Sequence, residues 1–314
     1  LTRGAGSRVR PSLGRVAAPE VALVVAAACF GVTFVMVKDA VNDVSPAGFI
    51  VLRFTIGTAT LAPFAWVSRR RAARPDPLPS VAKVSVALGL ALAVGYMLQT
   101  VGLQYTSASN SAFITGLFVV FTPLIQIALR HRGLGPVTAT AVALAVTGLF
   151  LITGASFHVG AGDLLSLGCA FAFAVQIVML GTWAPRFDAL VLNTAQMAAL
   201  TVLTLPVLAI TGPGRLTGRA WLAIVVTGLA CSSLAFSLQV YGQSRTAPTR
   251  AALLLSLEPV FAAVTGYATG AGLGLVGAFG ALLILSGIVV EEGGGAWWRR
   301  RMDARRPAGA VDHP

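Results

Sequence analysis

The chain has 314 residues, of which 56% are hydrophobic and only 11% charged. A soluble domain carries about 25% charge, so this content cannot clothe a water-facing surface; a soluble enzyme or binding domain is nearly excluded, and disorder is excluded by the same numbers. The net charge of +12 sits mostly in short clusters between apolar runs, such as Arg69-Arg70-Arg71 and Arg299-Arg300-Arg301, which is the pattern of cytoplasmic loops and not of a nucleic-acid surface.

A membrane-spanning helix needs about 20 mostly apolar residues. Ten such runs follow in chain order: Val21–Val37, Ala47–Val67, Val84–Val101, Ala108–Leu129, Pro136–Thr153, Leu164–Trp183, Ala189–Ile210, Ala220–Tyr241, Ala251–Thr269 and Leu273–Val290. Polar residues interrupt the third and the ninth. The first run follows Arg3, Arg8, Arg10 and Arg15, but it is long for the apolar core of a signal peptide and further spans follow it, so it reads as a span. The linkers are short, and the tail after Glu291 is charged, Gly-rich and expected to be mobile. Cys29, Cys169 and Cys231 lie singly inside apolar runs, with neither disulfide nor zinc spacing.

With the N-terminus inside, 19 of the 23 Lys and Arg fall in inner segments, and Lys38, Arg215 and Arg219 fall outside. This asymmetry predicts that both termini are cytoplasmic and that the span count is even. The remaining cation, Arg53, lies within the second span.

Charges and polar groups inside the spans are the candidate functional residues, because burying them in hydrocarbon is costly. Glu258 lies roughly 10 Å from the inner boundary of the ninth span. A carboxylate at that depth must be paired, hydrated or protonated, which suits a proton-coupling group; the bland alternative is a protonated acid bonded to its neighbours. Pro259 follows it and frees the carbonyl of Leu255. Arg53 lies roughly 9 Å from the outer boundary, at a level that does not indicate a direct pair with Glu258. It reads as a structural arginine or an anchor for an anionic group. In the fourth span, Ser111, Thr115, Thr122 and Gln126 fall within about 60° of one another on a helix, a stripe that lines a cavity or bonds another helix. Pro123 breaks the hydrogen-bond ladder next to it. Tyr96, Gln99, Gln176 and Gln239 are weaker candidates, as are Asn193, Gln196, Tyr241 and Gln243. Lys38 and the Trp297-Trp298 pair read as interfacial anchors. His131, His158 and His313 show no metal spacing, and no cofactor is expected.

The chain also resembles itself. Tyr105–Ala112 (YTSASNSA) is echoed by Ser244–Ala251 (SRTAPTRA) at an offset of 139, which Leu134 and Leu273, and Gly148 and Gly287, also keep. Phe121–Leu124 (FTPL) is echoed by Leu257–Val260 (LEPV) at an offset of 136. Ala27–Val32 (AACFGV) and Gly168–Phe173 (GCAFAF) are fainter echoes. Chance similarity between apolar helices would scatter, whereas these matches cluster. Each half holds an odd number of spans, so the second copy inserts upside down relative to the first, the architecture of many secondary transporters.

These residues resemble a known family. Leu52–Phe54 (LRF), Tyr105–Leu124 (YTSASNSAFITGLFVVFTPL) and Ser256–Val260 (SLEPV), on ten spans, look like EamA-type permeases of the drug/metabolite transporter superfamily, over roughly residues 20–290. The resemblance implies an all-α polytopic protein with a five-plus-five inverted repeat: an arm over 1–19, repeats over 20–154 and 162–291, and a tail over 292–314. It also implies movement of small metabolites, amino acids or drugs across a plasma or bacterial inner membrane. Family members often carry a Gly-Glu pair just after the ninth span; here Thr269–Leu275 (TGAGLGL) has no acid, so that residue's role does not carry over. The expected function is a secondary transporter, most simply an exporter working by alternating access with proton coupling. Its partners are a small solute, the bilayer and protons, with a homodimer left open and no nucleic acid. The rivals are a non-transporting sensor or scaffold, and a lipid enzyme, which would need clustered Asp, His or Cys at membrane level.

Overall fold

A computed structural model describes residues 18–41, 43–130, 135–154, 160–268 and 274–305, without the side chains of 34, 35, 38, 39, 130, 266–268 and 295–305. The arginines of the N-terminal arm, Lys38, Trp297, Trp298, His131, His158, His313 and most of Thr269–Leu275 lie outside what is described.

The described chain is helical: α1 (Ala18–Ala40), α2 (Pro46–Arg71), α3 (Leu78–Tyr105), α4 (Ala108–Gly116), α5 (Phe118–Arg130), α6 (Pro136–Thr153), α7 (Ala161–Trp183), α8 (Ala189–Thr211), α9 (Gly218–Thr227), α10 (Phe236–Gln243), α11 (Pro248–Leu255), α12 (Glu258–Ala268) and α13 (Leu275–Arg305). A π-helical stretch, Gly228–Ala235, joins α9 to α10. Among the described residues, eight helical stretches are long and apolar enough to cross a membrane, with α4–α5 and α9–α10 each counted as one. The expected first span contributes a shorter apolar stretch, Ala18–Thr33. The expected ninth span is cut in two, because Pro259 lacks the N–H that would continue the ladder.

Two other expectations are corrected. The fourth span is not one continuous helix but stops at Gly116 and restarts at Phe118. The last helix does not end at Val290 but runs on to Arg305. Its glycines let that extension pack: a Cβ on Gly294 would collide with Val137 of α6.

Side-chain caps mark where several helices begin. Ser45, Ser107 and Thr217 each accept a hydrogen bond from a first-turn N–H of α2, α4 and α9, and Asp188 accepts two from α8. Such caps satisfy donors that hydrocarbon would leave bare.

Contacts between helix ends define two faces. On one, the turn after α1 is bridged to the turn before α9 through Val44 and Gly214. There the Thr217 hydroxyl donates to Asp43 (3.0 Å), and nearby the Thr106 hydroxyl donates to Asp163 (2.5 Å), joining the end of α3 to the start of α7. On the opposite face, where α1 begins, Arg250 pairs with Glu20 (2.7 Å) and with Glu292. Ser68 at the end of α2 donates to Asp188 (2.8 Å), and Thr249 donates to Gln126 (2.5 Å). We call this second face the near face and the other the far face.

Candidate functional site

The site grows from two interrupted helices. At the end of α4, Leu117 N–H bonds Ile114 C=O (3.1 Å), a tightened turn, before α5 starts. After α11, Ser256 N–H bonds Ala252 C=O (2.9 Å) and Leu257 N–H bonds Leu254 C=O (3.3 Å) before α12 starts. Both interruptions lie a few residues ahead of a proline, Pro123 and Pro259. Thr122, just before Pro123, donates to Phe118 C=O (2.7 Å) of its own helix. Glu258 is the first residue of α12. Unpaired N–H groups and the positive end of the helix dipole favour an acid there, which offsets part of the cost of a carboxylate at membrane depth.

The breaks meet at a cavity of about 540 Å³ whose polar lining is Tyr96, Gln99, Thr115, Gln176, Gln239 and Glu258. Its apolar walls include Phe30, Phe118, Phe173 and Phe236. A second cavity of about 800 Å³ shares Thr115, Phe118, Leu255 and Glu258 with the first. It continues past Ala108 and Ser109 of α4, Thr153 of α6 and Ala263 of α12, which are residues toward the far-face ends of those helices. Toward the near face, the Arg250 pairs and the Thr249–Gln126 bond tie α1, α5, α11 and α13 together.

Aromatic rings hold the walls. Phe30 and Phe236 meet edge to face at 5.1 Å between ring centres, as do Tyr96 with Phe173 and Tyr96 with Phe54. Edge-to-face pairs are favoured by the ring quadrupole. Helix α1 closes the site from one side, because at Gly31 a Cβ would lie 2.9 Å from Ala262 N and would overlap the Glu258 carbonyl oxygen.

Arg53 stands behind this wall. Its Nε donates to the Ser232 hydroxyl (3.1 Å) in the π-helical stretch, and its guanidinium lies 5.0 Å from the Phe54 ring centre and 5.1 Å from that of Tyr96. Among the described residues it forms no ion pair with Glu258. The same π-helical stretch places Cys231 against the Thr33 hydroxyl (2.8 Å) and lets Ser233 donate to Gly228 C=O (3.1 Å). A π-turn leaves carbonyls out of the regular ladder, and these side chains and Arg53 occupy the polar space it opens.

Of the residues singled out in the sequence, the structure brings Glu258, Thr115, Tyr96, Gln99, Gln176 and Gln239 to one cavity. Ser111, Thr122 and Gln126 do not line it. Ser111 accepts from Ser166 of α7 (3.1 Å), Thr122 bonds its own helix, and Gln126 bonds Thr249. The break at Leu117 separates the upper and lower parts of the stripe. Asn193 donates to Ser237 (3.0 Å) and receives a bond from Gln196 (2.9 Å), away from the cavity. Tyr241 lies at the near face under the Arg245 guanidinium.

The aromatic lining was not singled out, since single phenylalanines in apolar helices carry no signal. One signal did exist. Gln99 and Gln239, Tyr96 and Phe236, and Phe118 and Glu258 are each 140 positions apart, so cavity residues recur at a nearly constant offset.

The model of the EamA-like transporter family matches residues 18–154 and again residues 160–290. The chain belongs to this family. A protein of Archaeoglobus fulgidus named an uncharacterized transporter is 32% identical over 275 residues, covering 86% of this chain and 84% of that one. A second uncharacterized transporter of the same organism is 22% identical over 266 residues, covering 82% and 91%. A protein of known crystal structure, 20% identical, superposes with a TM-score of 0.72 over 89% of this chain and 97% of its own, a likeness of fold. The chain is thus a multi-pass membrane protein of the EamA family.

Proposed function

We propose that this chain is a secondary-active transporter that exports a small metabolite, amino acid or drug by alternating access, with Glu258 coupling the movement to protons. The observation that carries this reading is the meeting of two interrupted helices at one cavity that holds Glu258. Interrupted helices at mid-depth are where secondary transporters bind solute, because half-helix ends and freed carbonyls face the cavity there.

We read the body as ten spans in a five-plus-five inverted repeat over 20–154 and 162–291. Two observations support this. The family model matches twice, and helix packing recurs with the repeat spacing: Gly148 abuts Gly280, and Gly287 abuts Ala141. Ala141 and Gly280, like Gly148 and Gly287, are 139 positions apart. Packing in which each partner's equivalent meets the other's equivalent is what a two-fold relation between halves produces. The near face is assigned to the cytoplasm of a plasma or bacterial inner membrane, with both termini there, on the Lys and Arg asymmetry. In this reading the arrangement described is closed toward the cytoplasm by the Arg250 pairs and open toward the outside along the cavity that passes Ser109 and Thr153.

The test is counterflow and proton-driven flux in proteoliposomes, using solutes chosen by a thermal-stability screen of the purified protein. Wild type is expected to move the solute and respond to a pH gradient, whereas Glu258→Gln loses that response. Unchanged rate and gradient dependence in Glu258→Gln would overturn the coupling role. Solute binding without any flux would favour a sensor or scaffold instead.

A further inference from the structure

We infer that the cavity around Glu258 takes a small organic cation: an ammonium group on a compact aromatic or aliphatic body that also carries a hydroxyl or carbonyl oxygen. This deepens the transport reading and rests on it for the movement of the solute, though not for its binding.

The electrostatics of the lining point this way. Among the described residues that line the cavity, Glu258 is the charged one, and no Lys, Arg or His joins it there. Among the described residues its carboxylate receives no hydrogen bond. Arg53 forms no ion pair with it among the described residues. It is held by Ser232, and its guanidinium lies 5.0 Å from the Phe54 ring centre and 5.1 Å from that of Tyr96. An anionic solute would meet Glu258 without a lining cation to offset it, and a neutral one would leave the carboxylate unmatched in a partly desolvated space.

The walls supply the second component. Phe30 and Phe173 are half-buried, and the buried Phe236 meets the rings of Phe30 and Tyr96. Aromatic faces attract an ammonium group, more strongly where water is displaced. Arg53 already engages the Tyr96 ring, so the phenylalanines are the rings left for a bound cation.

The third component is hydrogen bonding. Gln176 is 1% exposed and Thr115 is 7% exposed. Both residues line the cavity, and among the described residues the Gln176 Nε2 has no hydrogen-bond partner. A buried polar group left unpaired costs free energy, and an oxygen acceptor on the solute would satisfy it. Gln99 and Gln239 add a carboxamide from each half.

Tyramine, tyrosol and 3-(4-hydroxyphenyl)propionate share a phenol and differ in the charge at the end of the chain. The experiment measures binding of these three to the full-length protein in detergent, by calorimetry and by thermal stabilisation, which follows binding by mass action. Tyramine is expected to bind and to raise the unfolding midpoint, with tyrosol and the propionate about tenfold weaker or more. Glu258→Gln should abolish the preference for the cation. Phe173→Leu, which keeps an apolar wall, should weaken tyramine several-fold while leaving tyrosol unchanged, and it serves as the test should Glu258→Gln fail to fold. Equal binding of the three, preference for the propionate, binding of none, or a cation preference that survives these substitutions would each overturn the inference. Flux of radiolabelled tyramine is read separately. Binding without flux upholds the cavity's selectivity and counts against transport, whereas flux of an anionic solute does the reverse.

Discussion

The two helix breaks occupy equivalent places in the two halves and differ in one residue that matters. After the break at Leu117 the chain continues with Phe118; after the break at Ser256–Leu257 it continues with Glu258, 140 positions on. Around them the halves match. Gln99 is answered by Gln239 and Tyr96 by Phe236, and the edge-to-face pair Tyr96–Phe173 is answered by Phe236–Phe30. Shape is therefore built twice and charge once. Packing can be duplicated at no penalty, because each half needs the same close approach of helices. A second carboxylate facing the first in a small desolvated cavity would add both another burial cost and a repulsion. One acid at one half-helix N-terminus is the arrangement with the lower free energy.

The strongest test of this asymmetry exchanges the two positions' roles. Glu258→Gln is expected to lower proton-driven flux by about tenfold or more, equivalent to at least 1.4 kcal/mol of barrier, whereas Phe118→Leu leaves the gradient response intact. If Phe118→Leu proves as damaging to coupling as Glu258→Gln, the charge is not what distinguishes the halves. Next in size is Gly31→Ala. Its new methyl would press on the backbone of α12 beside Glu258, with an overpacking cost of about 1–3 kcal/mol. The expected outcome is an unfolding midpoint lower by several degrees together with a loss of flux. Gly148→Ala, which presses on Gly280 in α13, should destabilise comparably and spare flux more. Third, Arg250→Ala removes both ion pairs at the near face. The stability loss should be about 1 kcal/mol, since partly exposed pairs contribute little. In a background without native cysteines, however, a thiol placed at Gln239 should label several-fold faster from the near side. Smallest is Thr122→Val, which removes one bond to Phe118 C=O. A midpoint shift of a degree or two and unchanged flux are expected, because the neighbouring turn stays packed.

Much of the body was legible in the chain. Pro136–Thr153 and the start of α8 at Ala189 were read to the residue, because proline and aspartate at a helix start have a fixed local reason to be there. Hydropathy starts the third span at Val84, whereas its helix begins at Leu78, since Lys83 and Ser80 mask the first turns. Glu258, Tyr96, Gln99, Thr115, Gln176 and Gln239 were selectable because polar groups in apolar runs are rare and costly. Ser111, Thr122 and Gln126 looked the same by that criterion, and only the packing separated them: each had a partner in its own or a neighbouring helix. The π-helical stretch at Gly228–Ala235 and the seat it gives Arg53 left no trace in hydropathy, for a π-turn changes the backbone and not the composition.

By itself the sequence determined that the chain belongs in a bilayer, where most of its apolar helices lie, and which polar residues fall inside them, because those follow from transfer free energies that act residue by residue. It also held the repeat, since equivalent positions keep a nearly constant spacing. The tertiary structure decided which polar groups face a common cavity, that Arg53 is not among the described residues lining it, and that each of two spans is interrupted near that cavity. Those outcomes depend on the rotation and close approach of helices far apart in the chain, set by contacts such as Gly31 against Ala262 and Gly148 against Gly280, which no local property of the sequence encodes.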